Sequence, residues 1–252
     1  MKILKEIKWL GKRKIMETVR QPVWIVSGLV TPLLYMLLFS PLLRNMGYPP
    51  RTTAEVLNSF VPGILTLLAF STGMGSGWTI IWELQSGVIE RLRVTPASRF
   101  SIMMGTVLTD IVDFLVPAFL VIVISAFFGF IVHPVGLFML LVLLSMLTAI
   151  VSAWSNSLGL ILKQSGSLAA VVTGMQLPLT LLSGILLPLS LGPSWLRAIA
   201  HINPMYYTVE ASRVLVKGVL GSVEILIGFA VIIPLMVITL WWATGVYRKA
   251  VS

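Results

Sequence analysis

The 252-residue chain contains no cysteine, which excludes disulfides, thiolate metal centres and thiol nucleophiles. Its only histidines, His133 and His201, lie far apart and read as two separate loop residues, so no metal site is expected. Charged residues make up 11% of the chain, against about 25% in an ordinary soluble domain. No G-x-x-x-x-G-K-S/T occurs, so the chain has no P-loop with which to cradle nucleotide phosphates. No His/Asp/Glu or Ser-based constellation converges as a catalytic centre would, and no catalytic residue is nominated.

Apolar residues are abundant instead, at 57%. One soluble domain of this size cannot hide so much apolar surface, and the excess must face lipid. The net charge of +9 is divided among short segments between apolar runs. That is how orientation signals at a membrane face are arranged, and it argues against a nucleic-acid surface.

The first 21 residues read as a helix lying on the membrane. Ile3, Leu4, Ile7 and Leu10 share one face, with Lys2, Lys5, Lys12 and Arg13 opposite. Pro22 sits where a new helix would start. Six apolar stretches follow, at 22–43, 58–82, 104–131, 135–162, 167–188 and 222–247. Each is near the ~20 residues that cross about 30 Å of hydrocarbon. The expected fold is an all-α polytopic bundle forming a single domain over 1–252. The runs are continuous and do not alternate, which rules against a barrel. Thirteen Lys and Arg fall on one set of connections and five on the other. The positive-inside rule then places both termini in the cytoplasm, with 44–57 and 189–221 outside. Trp24, Trp78, Trp82, Trp195, Trp241 and Trp242 lie near the span ends, as interfacial aromatics do.

Two connections are more than turns. In the cytoplasmic one, residues 83–100, Leu84, Val88 and Leu92 recur every four residues and predict a short amphipathic helix ended by Pro96. The external one, 189–221, is too apolar and aromatic for a solvated loop and predicts half-buried short helices. Small residues four apart mark close packing: Ala69, Gly73 and Gly77 in the second span, and Gly166, Ala170 and Gly174 in the fifth. Either stripe could serve packing within the chain or a subunit contact. Pro117, Pro178 and Pro234 fall inside spans and are expected to kink them. Asp110 and Asp113 read as carboxylates at a helix start on the cytoplasmic interface, because 111–131 alone is long enough to cross. At mid-bilayer they would instead suggest a proton relay.

The run E-L-Q-S-G-V-I-E-R-L-R-V-T-P-A-S-R, from Glu83 to Arg99, resembles the signature of type-2 ABC exporter permeases, the family that includes daunorubicin-resistance-like membrane subunits. Glu83, Ser86, Gly87, Glu90, Leu92, Thr95, Pro96 and Arg99 match that pattern, while Val88 replaces its usual Thr. The segments S-F-V-P-G-I-L, Ser59 to Leu65, and I-N-P-M-Y-Y-T-V-E-A-S-R, Ile202 to Arg213, agree as well. In the latter, Asn203, Pro204, Tyr207, Glu210 and Arg213 carry the match.

The resemblance implies a homodimeric transmembrane subunit in the cytoplasmic membrane that exports a hydrophobic or amphipathic substrate, drug-like, lipid or glycan-lipid. Residues 83–99, Arg91 among them, would dock as a coupling helix on a separate nucleotide-binding subunit, which would carry the ATP and Mg2+. Residues 189–221 would form re-entrant helices that close the outer end of the pathway. Two other classes compete. An ion-coupled secondary transporter would show midplane acidic pairs and internal repeats, and a polytopic membrane enzyme would show a catalytic cluster at one depth.

Overall fold

Among the residues the structure describes, every regular element is a helix. It is a computed structural model describing residues 53–93, 98–185 and 193–251, with seven further positions between 30 and 38. The expected interfacial helix over 1–21 lies outside the described residues, as does most of the span expected at 22–43; the described positions of that span are helical. Eight helices follow: α1 (Thr53–Gln85), α2 (Val88–Arg93), α3 (Arg99–Phe127), α4 (Pro134–Leu162), α5 (Ser165–Leu181), α6 (Ser194–Ala200), α7 (Pro204–Val216) and α8 (Val223–Val251). Four of them, α1, α3, α4 and α8, are long and apolar enough to cross a membrane.

Local chemistry sets the ends. Ser98 caps α3, its Oγ accepting from the Ser101 N–H at 3.0 Å. The expected span at 104–131 is therefore shifted. It begins at Arg99 and stops at Phe127, because the chain turns through Gly129 at φ +98°. Pro134 opens α4 at its first turn, and Lys163 closes it in the left-handed region at φ 56°. The span expected at 58–82 is longer at both ends, and the last runs to Val251.

The fifth expected span, 167–188, is corrected most. The helix ends at Leu181 and closes in a turn through Gly184 at φ +75°. Its 17 residues reach about 26 Å at 1.5 Å each, short of the ~30 Å hydrocarbon layer. Residues 186–192 of the expected segment lie outside the described residues. The prolines do not interrupt their helices: α3 continues through Pro117, α5 through Pro178 and α8 through Pro234.

α1 and α4 form the closest pair and the centre of the bundle. α3, α7 and α8 pack around α4, α3 and α7 also touch α1, and α5 leans on both α1 and α4. The burial of the crossing segments follows this order: 72% of the α1 window is covered by protein, but only 22% of the α8 window. The seam between α1 and α4 explains the first small-residue stripe. A Cβ on Gly73 would lie 2.8 Å from the Val151 Cβ, and one on Gly77 only 2.6 Å from the Ser155 Oγ. Thr148 donates to the Ala69 carbonyl, and the Gly77 N–H to the Ser155 Oγ. This stripe packs within the chain. The second one does not among the described residues: Gly166, Ala170 and Gly174 sit on an exposed side of α5, with no described atom within 4 Å of a Cβ built on either glycine.

Candidate functional site

Three groups of residues carry the expected function, at different heights in the bundle. The first is the connection from α1 to α3. α1 runs on to Gln85, so Glu83 is a buried residue on a long helix and not part of an exposed loop. The wholly buried Tyr247 of α8 lies within electrostatic reach of Glu83 and Asp110, beside Thr106. The Ser86 hydroxyl donates back to the Glu83 carbonyl, and Gly87 at φ +71° turns the chain. α2 then begins, with the Arg91 N–H donating to the Gly87 carbonyl at 3.2 Å.

The expected stripe of Leu84, Val88 and Leu92 is accordingly broken. Leu84 lies in the last turn of α1, whereas Val88 and Leu92 belong to α2, and a period of four does not carry across a left-handed residue. Ile89 is the buried anchor of α2, which touches α1 and the end of α8, and Arg91 is exposed. The backbones of Glu90, Leu92 and Arg99 are helical, and their side chains lie outside the description. Thr95 and Pro96 fall wholly outside the described residues.

The second group lies deeper. Asp110, expected at an interface, is buried well inside α3 and accepts from the hydroxyls of Ser76 on α1 and Ser152 on α4. Asn156 supports both hydroxyls, its Nδ2 donating to Ser76 Oγ at 2.7 Å and Ser152 Oγ at 3.3 Å. One carboxylate thereby ties three helices together. Buried polar groups need hydrogen-bond partners of this kind. Sequence reading missed this network. The available signal was the run S-A-W-S-N-S, Ser152 to Ser157, inside an otherwise apolar span.

The third group is at the opposite end of the bundle. There the Asn58 carboxamide accepts from the Ile131 N–H, and the His133 ring contacts the Val216 carbonyl through Nδ1 at 3.1 Å. The segment expected to hold short helices does so, in α6 and α7. Asn203 caps α7, accepting from the Met205 N–H at 3.0 Å, and Pro204 occupies the first turn. The same Asn203 donates through Nδ2 to the Leu179 carbonyl of α5 at 2.7 Å. Tyr207 donates its hydroxyl to the His201 carbonyl at 2.9 Å, and the His201 and Tyr206 rings meet edge-on at 4.9 Å. Burial, then the Glu210 carboxylate and Tyr207, push the Tyr206 phenol above its ordinary pKa, with Arg213 opposing. Glu210 pairs with Arg213 at 3.0 Å, and Arg213 donates through Nη2 to the Gly184 carbonyl at 2.6 Å. Each of the five matched motif residues has a definite place in the structure: cap, first turn, hydroxyl tie, ion pair and carbonyl clasp.

Among the described residues, no three His, Asp or Glu side chains gather as metal ligands would. The arrangement is that of a polytopic bundle with polar fastenings at three heights.

Comparison with known proteins is consistent across the chain. The family model for the ABC-2 type transporter matches residues 5–216. The protein provisionally named transport permease ycf38 of Cyanophora paradoxa is 32% identical over 215 residues, covering 84% of this chain and 74% of the relative. Its counterpart in Pyropia yezoensis is 29% identical over 224 residues, with 86% and 76% covered. The daunorubicin resistance ABC transporter permease protein DrrB1 of Streptomyces coeruleorubidus is 26% identical over 205 residues, with 79% and 71% covered.

Proposed function

This chain belongs to the ABC-2 type transporter family, and from that premise we propose that it is the membrane subunit of an ATP-driven exporter that moves a hydrophobic or amphipathic substrate. It works as a homodimer in the cytoplasmic membrane, with a separate ATPase subunit that carries ATP and Mg2+. The observation that carries this reading is α2. A helix of six residues is turned out of the line of α1 by Gly87, anchored to the bundle through Ile89, and leaves Arg91 exposed. Such an element can receive a displacement from a docked partner and pass it to α1 and α8. A partner shifts a conformational equilibrium only through contacts that differ between the two states, and a short helix projecting between two spans supplies them. The resemblance of 83–99 to the family's coupling segment supports a part for Glu90 and Arg99 in the contact with the partner.

The experiment is reconstitution. The chain in lipid vesicles without its ATPase should neither hydrolyse ATP nor concentrate a substrate, and adding the ATPase subunit should confer both. ATP turnover by the verified lone chain sinks the proposal. One observation favours a second reading: the buried Asp110 is the kind of intramembrane carboxylate that ion-coupled carriers use. Transport by the lone chain driven by a proton or sodium gradient would select that reading.

A further inference from the structure

Two motif segments far apart in sequence meet at one place, the turn that closes α5. The last carbonyls of any helix have no partner within it, and α5 can satisfy only some of its own. Pro178 O accepts from the Leu182 N–H, and Thr180 O from the Ser183 N–H and hydroxyl. Leu179 O and Gly184 O take their donors from α7, namely Asn203 Nδ2 and Arg213 Nη2. On the other side of the turn, Ile185 lies against α1 at Gly63, where a Cβ would come within 2.6 Å of the Ile185 carbonyl oxygen. The turn is thus gripped between α7 and α1, and its Ser183 and Ile185 are buried.

Among the described residues, this half of α5 has one further hold, the partly buried Leu179 packed against the core. Within the helix only Leu168 and Val172 are buried, both in its first half. Pro178, which lacks an N–H, leaves the helix ladder one bond short four residues after Gly174. A half-helix with a proline joint, held by Leu179 and fastened at its tip by two side chains from the α7 segment, has the construction of a releasable stop.

We propose that Asn203, Arg213 and Gly63 are positioning residues that clamp the closing turn of α5, and that releasing this clamp lets the half of α5 beyond Val172 swing away from α1 and α7 during transport. Glu210 holds the Arg213 guanidinium in line for the Gly184 carbonyl. The proposal rests on the permease reading for its purpose, and its geometry is tested apart from it.

The absence of cysteine provides the assay. Ser183→Cys is nearly isosteric and buried in the clamped turn, and Ser157→Cys is equally buried in α4. In reconstituted chain, a water-soluble maleimide should label position 183 slowly. Adding Arg213→Gln or Asn203→Ala should speed labelling at 183 about tenfold or more, the change expected on losing one hydrogen bond from a charged or well-buried donor, and Gly63→Ala should speed it by forcing a Cβ against the Ile185 carbonyl. Labelling at 157 should stay unchanged, and Arg213→Lys should fall between. An unaltered rate at 183 overturns the clamp, and so does an equal rise at 157, which would mean general loosening. In the complex with the ATPase subunit, the rate at 183 should differ between nucleotide-free and ATP-bound forms. Equal rates would make the turn a fixed joint and overturn the release. None of these labelling outcomes depends on whether the lone chain turns over ATP, so failure of the clamp and failure of the permease reading are separately visible.

Discussion

Gly87 decides whether α2 exists as a separate element. Its φ of +71° falls where a side chain is disfavoured, and no neighbouring atom lies within 4 Å of a Cβ placed there. The requirement is for backbone conformation and not for space. Gly87→Ala should therefore cost about 1–2 kcal/mol, and Gly87→Asn distinctly less, since Asn tolerates the left-handed region. Thermal unfolding of the purified chain measures the cost, and recovery of the ATPase complex should fall in the same order. A Gly87→Ala chain with unchanged melting temperature would show that the turn has another basis. At this scale the sequence was informative about residue identity and poor on surroundings. Asn203 and Arg213 were singled out for their motif, yet their partners are the carbonyls of Leu179 and Gly184. Main-chain acceptors have no residue type and leave no trace in a pattern of side chains.

Among the elements, those with marked ends were the most legible. α4 was expected at 135–162 and runs Pro134–Leu162, since Pro134 and the polar Lys163–Gln164 pair bracket a largely apolar stretch without charge. α5 was misjudged because its turn at Leu182–Ile185 is itself apolar, and hydropathy does not register a change of backbone direction. The two small-residue stripes looked alike in sequence and differ in the structure, which gives a paired prediction. Gly77→Ala forces a Cβ onto Ser155 and should destabilise the bundle by about 1–3 kcal/mol, as overpacking does. Gly166→Ala meets nothing among the described residues and should be neutral or slightly stabilising, in line with the helix preference for alanine of up to about 1 kcal/mol. Denaturation of both variants in the same lipid or detergent checks this. A Gly166→Ala loss as large as that at Gly77 would mean that a second chain covers the open face of α5.

For the molecule as a whole, the uneven basic residues of the connections set the expected orientation, with the α1–α3 connection inside the cell and the α6–α7 segment outside. Single cysteines at Ser98 and at the exposed Val219 should react oppositely with an impermeant maleimide applied to intact cells, position 219 labelling and position 98 staying silent. Labelling at 98 alone would invert the bundle. The Asp110 network also has a consequence in the order in which the chain is made. Ser152 lies 42 residues beyond Asp110, so α3 leaves the ribosome before α4 can offer its hydroxyl or its amide. Until then Asp110 lacks the Ser152 part of its network, and an aspartate within an inserting helix costs up to about 2.5–3.5 kcal/mol. Chains truncated after α3 should therefore insert that helix less completely than chains carried through α4, which insertion mapping of the two lengths checks.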